Sequence, residues 1–352
     1  MARRAPAVET VDADCIDDAF HPRRTLRLSG HAEALGIAAR AIRSGRPPQG
    51  WMLCGPPGIG KATFGYRIAR YLLAFGATDR GPADLSVPAN DQATALIAAG
   101  AHPGLLTLKR RTNPDTGKLM GVLAVEEVRK LAGFFGMTSG MGGWRIALID
   151  AVDDMNEAAA NALLKLLEEP PTRAMLLLVA HAPGRTLPTI RSRCQKLIFR
   201  PLDDAAMAAE MKLLMPDTAP DERDGLIRLS GGSPGAALRL ASGDGVILAG
   251  EADRLIESAG DIDIPALFAL ADKIARIADG LDMFGEFLLQ SLNRRIRMRA
   301  PRDGARLKPW SDAFDRIAAD GVRAGTLHLD PRQTLLQMAR AAGRAAKTAG
   351  SV

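Results

Sequence analysis

Residues 55–61 read GPPGIGK, directly after the apolar run Trp51–Cys54 and directly before a helical pattern. A glycine-rich turn between a strand and a helix leaves backbone N–H groups able to close on phosphate oxygens, and a lysine at the helix start neutralises their charge. Gly55, Gly58, Gly60 and Lys61 are therefore the first candidate binding residues. The same spelling constrains the fold, because such a loop needs a buried strand behind it and a helix in front.

Further short apolar runs follow at Leu105–Leu108, Arg145–Ile149, Met175–Ala180 and Lys196–Phe199. Their continuous apolar character suits strands buried on both faces. Helical patterns lie between them: His31–Ser44, Thr63–Phe75 with Ile68, Tyr71, Leu72 and Phe75 on one face, and Val125–Phe135. Alternating strands and helices predict an α/β domain with a parallel, doubly wound sheet. The segment DMNEAAANALLKLLEEPP predicts the clearest helix, capped by Asp154 with Glu157 completing a capping box, striped by Leu163, Leu164 and Leu167, and ended by Pro170 and Pro171.

Two positions around the loop lack the group that phosphate chemistry needs. After Lys61 comes Ala62 instead of a Ser or Thr that would hold Mg²⁺, and Thr63 stands one residue, about 100° of helix, too late. The run RIALID ends in Asp150, suited to hold a metal through water, but Ala151 follows where a base would activate the attacking water. Asp153 and Asp154 read as parts of the next helix cap. Ahead of the last strand stands LPTIRSRC, with Arg191 and Arg193, which on residue type alone suit surface ion pairs.

At 352 residues the chain is long enough for two or three domains. Aromatics make up only 4%, few rings for stacking single-stranded nucleic acid. Three cysteines, Cys15, Cys54 and Cys194, form no close pair, which suits a reducing cytoplasm and excludes a disulfide framework or a cysteine zinc site. No apolar run reaches membrane-spanning length and no secretory leader pattern is present, so a cytoplasmic protein without membrane contact is expected. Residues 1–20 read as a mobile tail, 21–200 as the phosphate-binding domain, 201–246 as a small helical lid around the turn Gly231–Gly235, and 247–352 as a helical domain with Leu281, Phe284, Leu288 and Leu289 on one face and Leu335, Leu336 and Met338 near its end. The net charge of +6 sits within 294–308, where seven basic residues (Arg294, Arg295, Arg297, Arg299, Arg302, Arg306, Lys308) face one acid, Asp303. A solvated helix end is the first reading of that segment and a DNA contact the second.

Taken together, GPPGIGK, LIDAVDDMNEAAANALLKLLEEPP and LPTIRSRC resemble the AAA+ clamp-loader subunits of bacterial DNA polymerase III, and within them the delta-prime family. HPRRTLRLSGHAEAL (21–35), GAHPGLLTL (100–108), LSGGSPGAAL (229–238) and LDPRQTLLQMAR (329–340) extend the likeness over nearly the whole chain. The resemblance implies a RecA-like AAA+ nucleotide domain, a helical lid and an all-α collar that joins subunits in a ring. It also implies that Arg193 acts as an arginine finger in trans, reaching the ATP of a neighbouring motor subunit. Such fingers contribute ~10³ to 10⁵ in rate in GTPases.

Members that hydrolyse ATP complete their own site. Here Ala62, Ala151 and Gly235, which falls where a motor's lid arginine stands, point to a subunit that does not hydrolyse ATP alone. Its degenerate site (Gly55, Gly58, Gly60, Lys61, Asp150) binds ATP or ADP weakly at most, and no cofactor is required. His181, at the place of a motor's polar sensor, reads as a strand-end histidine. The partners implied are the gamma/tau motor and delta subunits, and indirectly the sliding clamp and primer-template DNA, within the polymerase holoenzyme. Relatives carry a four-cysteine zinc module in the loop matching 76–103; this chain has no cysteine there, so no zinc is expected. The alternatives are an active AAA+ motor or DNA-remodelling ATPase, a P-loop phosphotransferase, and a DNA-binding protein without nucleotide chemistry.

Overall fold

The computed structural model describes residues 20–110, 123–136, 143–241, 244–277, 280–299, 307–327 and 329–350. The expected tail at 1–20, with Cys15, lies outside them except for Phe20, as do Arg302, Asp303 and Arg306. The chain divides into two units, Met1–Arg200 and Pro201–Val352.

The first unit is a five-stranded parallel sheet formed by β1 (Gly50–Cys54), β2 (Leu105–Lys109), β3 (Arg145–Asp150), β4 (Ala174–Ala180) and β5 (Gln195–Ile198). Their order is β2-β3-β4-β1-β5, each pair parallel. The apolar runs become strands because both faces are covered. On β4, Met175, Leu177 and Val179 enter one core with Trp51, Leu53 and Leu148, under α1 (Ala32–Arg43) and α2 (Lys61–Phe75). Leu176, Leu178 and Ala180 enter the other with Met52, Cys54 and Ile149, under α4 (Val125–Gly136) and α5 (Glu157–Glu168). A short α3 (Gln92–Ala98) lies between α2 and β2, and a six-residue α6 (Pro188–Arg193) between β4 and β5.

Two expectations change. The N-cap of α5 is Asn156, whose side chain accepts from the Ala159 N–H at 2.8 Å, not Asp154 with Glu157. Asp154 lies outside the helix and pairs with Arg110 at 3.4 Å. Asp153 turns to the sheet, as described below.

The loop from Gly76 to Asp91 is held by ordinary side-chain contacts. Leu85 and Val87 are buried in the α1–α2 core, the Tyr71 hydroxyl donates to the Thr78 carbonyl at 2.9 Å, and Arg43 donates to the Gly81 carbonyl at 2.8 Å. Arg67 pairs with Asp84 at 2.8 Å, and Asp84 also accepts from the Ser86 hydroxyl at 2.7 Å and the Ser86 N–H at 3.1 Å. Among the described residues no cluster of three or more His, Cys, Asp or Glu side chains could hold a metal.

The regular elements of the second unit, among its described residues, are all helices: α7 (Asp204–Leu214), α8 (Pro220–Ser230), α9 (Pro234–Ala241), α10 (Gly245–Glu257), α11 (Ile264–Ile274), α12 (Gly280–Arg299), α13 (Lys308–Leu327) and α14 (Pro331–Gly350). One hydrophobic cluster runs from Met207 to Ala349, and α10 crosses residues 246 and 247. Gly231 ends α8 in the left-handed conformation (φ 59°), a backbone state that disfavours side chains larger than hydrogen, and Ser233 caps α9 by accepting from the Ala236 N–H at 3.2 Å. Two arginines of the basic segment are engaged inside this unit. Arg294 pairs with Asp253 at 3.2 Å; the Arg295 guanidinium lies 4.8 Å over the buried Trp310 ring and donates to the Ile256 carbonyl at 3.3 Å. Neither is a freely solvated charge. No described helix is long and apolar enough to cross a membrane.

Candidate nucleotide site and arginine surface

β1 delivers the chain to Gly55, whose N–H donates to the Ala180 carbonyl at 3.1 Å. A Cβ at Gly55 would collide with the Phe199 carbonyl oxygen and the Ile59 side chain, so the loop can leave the sheet here only without one. Gly58 (φ 72°) and Gly60 (φ 100°) take left-handed conformations. They curl the backbone into the start of α2, where Phe64 N–H bonds to the Gly60 carbonyl at 2.9 Å. The predicted loop residues Gly55, Gly58, Gly60 and Lys61 therefore come together as one turn at a helix N-terminus.

A histidine braces this turn. His31, itself in the left-handed conformation (φ 59°) ahead of α1, has Nε2 2.7 Å from the Ile59 carbonyl and its ring 4.8 Å from that of Phe199. The carbonyl can only accept, so Nε2 carries the proton. Burial, with the nearby Lys61 charge, holds the His31 pKa below the ordinary range although the Ile59 bond opposes this, which favours the neutral Nε2–H form.

Lys61 is 3% exposed. Its ammonium donates to the Gly55 carbonyl at 2.6 Å and the Pro56 carbonyl at 2.5 Å. Burial pushes its pKa down to about 8, with Asp150 and Asp153 pulling the other way. Asp150 ends β3 as expected, with Oδ1 3.9 Å from His181 Nε2. The Asp153 carboxylate, 8% exposed, accepts from the His181 N–H (3.1 Å to each oxygen) and the Ala182 N–H (2.7 Å), tying the segment after β3 to the end of β4. Asp153 thus brackets the C-terminal end of the central strand β4, where the sequence suggests a part in the next helix cap.

The loop's backbone curl and its lysine fit a phosphate group. The metal side of the site does not fit Mg²⁺ in the usual way: Ala62 has no hydroxyl at the first turn of α2 and Ala151 has no carboxylate after Asp150. A bound nucleotide would meet Gly58, Gly60 and Lys61; the carboxylates near Lys61 are Asp150 and Asp153, and Ala151 supplies none at the position after Asp150.

Away from the loop, Arg193 ends α6 with its side chain 37% exposed. Its Nη1 donates to the Thr189 carbonyl at 3.0 Å and its Nη2 pairs with Glu168 Oε1 at 2.7 Å. Glu168 is the last residue of α5. Sequence reading singled out the arginine and passed over this partner. Arg191 has a long bond, 3.5 Å, to the Pro183 carbonyl. Cys54 and Cys194 are buried free thiols; burial raises both, Cys194 to about 12, which makes them unreactive.

A parallel sheet in the order β2-β3-β4-β1-β5, a glycine loop between β1 and α2, and an acid at the end of β3 define a RecA-like AAA+ domain, here followed by a helical unit. Residues 30–203 match the family model described as "DNA polymerase III, delta subunit". Over 197 residues, 56% of either chain, the protein is 39% identical to DNA polymerase III subunit delta' of Pseudomonas aeruginosa. Over 206 residues, 58% of either chain, it is 32% identical to the delta' subunit of Escherichia coli. A longer match, 25% identical over 334 residues and covering 87% of this chain and 55% of the other, is to the gamma/tau subunit of Mycobacterium bovis. The chain spans a little over half the length of these relatives. The chain is delta-prime-like: residues 30–203, just under half of it, are similar to the DNA polymerase III delta-subunit family.

Proposed function

We propose that the chain is a non-hydrolysing subunit of the DNA polymerase III clamp loader, which helps to load the sliding clamp onto primed DNA and lends Arg193 in trans to the ATP site of a neighbouring gamma/tau motor subunit. The observation that carries this reading is an asymmetry within one domain. The chain's own phosphate loop has no metal-binding hydroxyl at Ala62 and no base at Ala151, whereas Arg193 is presented on the surface at the end of α6. A guanidinium at such a position can stabilise charge developing on a transferred phosphoryl group without contributing a proton or a nucleophile.

In this reading the delta and gamma/tau subunits are its direct partners, residues 201–246 serve as lid and 247–352 as the collar that joins the ring. The sliding clamp and primer-template DNA are reached through the assembly. No cofactor is needed by the chain itself, and nucleotide at its loop binds weakly and serves architecture. The test is a titration of the isolated chain with ATP and Mg²⁺, followed by a turnover assay: no turnover, and binding no tighter than millimolar, is expected. Micromolar binding with measurable turnover that is lost on Asp150→Asn would overturn the non-hydrolysing assignment.

A further inference from the structure

Glu168 occupies an unfavourable place for an acid. It is the last residue of α5, where the backbone dipole presents partial negative charge, so a carboxylate there is stabilised by a nearby cation. The cation it meets is Arg193, which ends α6 twenty-five positions later. The guanidinium is gripped at two points, Nη2 on Glu168 Oε1 at 2.7 Å and Nη1 on the Thr189 carbonyl at 3.0 Å. A free arginine side chain samples many rotamers, and a planar fork held at two acceptors has surrendered much of that freedom before any ligand arrives. Arg193 has five N–H donors and the grip uses two of them, which leaves donors on the same rigid plane for a further anion. With side chains 37% and 49% exposed, the pair is reachable from solvent, so the remaining donors can meet an approaching anion.

Resting on the reading of Arg193 as a finger in trans, we propose that Glu168 is its positioning residue: the carboxylate fixes the guanidinium in one orientation so that it meets the neighbouring subunit's phosphates already aligned. Glu168 touches no substrate and transfers no proton; it acts through Arg193 alone. Without it, Arg193 is still charged and still long enough to bind, but samples several rotamers, so the loss falls on kcat more than on KM.

The experiment is a double-mutant cycle on the reconstituted clamp loader, with DNA-stimulated ATP turnover as readout and assembly checked by gel filtration. The near-isosteric Glu168→Gln is expected to lower kcat about two- to fivefold, the range an exposed ion pair spans, with KM for ATP changed less than twofold. In the Arg193→Ala background the same substitution is expected to have no further effect. If Arg193→Ala itself leaves turnover unchanged, the finger reading fails and the positioning role with it. If Arg193→Ala cuts turnover while Glu168→Gln leaves it unchanged or raises it, the finger stands and the positioning role is overturned. A Glu168→Gln loss that persists with Arg193 absent also overturns it, because the acid would then act elsewhere.

Discussion

Lys61 donates its ammonium to the Gly55 carbonyl, 2.6 Å away and six residues back along its own loop. The contact closes the turn on itself and explains how a cation 3% exposed is tolerated there.

That burial has a measurable consequence in stability against pH. Because the native lysine titrates near 8, below the ordinary value of 10.5, the unfolded chain binds more protons than the native one between those pH values. Stability contributed by this site therefore rises from pH 8 to about 10.5, and the penalty is fully present below 8. The full swing is about 3 kcal/mol. Urea unfolding of the wild type and Lys61→Met at pH 7, 8, 9 and 10 isolates it: the difference between them is expected to move in favour of the wild type as pH rises.

Asp153 carries backbone load. Asp153→Ala leaves the His181 and Ala182 amides without their acceptor, and a loss of about 2–4 kcal/mol in unfolding free energy is expected. Asp153→Asn keeps one acceptor oxygen and should lose roughly half as much. Equal losses in the two variants would contradict the amide-bracket account.

The loop from Gly76 to Asp91 is expected to need no metal. Its supports are Leu85 and Val87 in the core and the Arg67–Asp84 pair. Thermal melting with and without EDTA should give midpoints within about 1 °C, whereas Leu85→Ala should lower stability by about 2–5 kcal/mol. A large chelator-dependent fall would contradict this and show that a bound metal supports the loop.

Much of the first unit was legible because its strands are buried on both faces. The run Met175–Ala180 has no solvent side to break its apolar character, so it was read to within one residue of the strand Ala174–Ala180. The phosphate loop was legible for a local reason as well, since glycine positions, lysine and helix start are contiguous. What escaped depends on contacts remote in sequence. Asp153, Asp154 and Asn156 all suit a helix cap, and only the nearness of the β4 end decides that Asp153 goes to His181 and Ala182 and leaves the cap to Asn156. Leu85 and Val87 lie in a Gly/Pro-rich stretch with no helical or strand period, so nothing local marked them as core. Arg294 and Arg295 read as solvated charge because Asp253 and Trp310 stand on other helices. Glu168 and Arg193 meet only because α5 and α6 end side by side.

The measurement that bears most directly on the function proposed for this chain is DNA-stimulated ATP turnover by the assembled clamp loader carrying Arg193→Ala. With assembly intact by gel filtration, turnover is expected to fall at least tenfold at the one motor site this subunit would face, while nucleotide binding there weakens far less. Wild-type turnover from a fully assembled Arg193→Ala loader would contradict the account and leave Arg193 as a surface ion pair with Glu168.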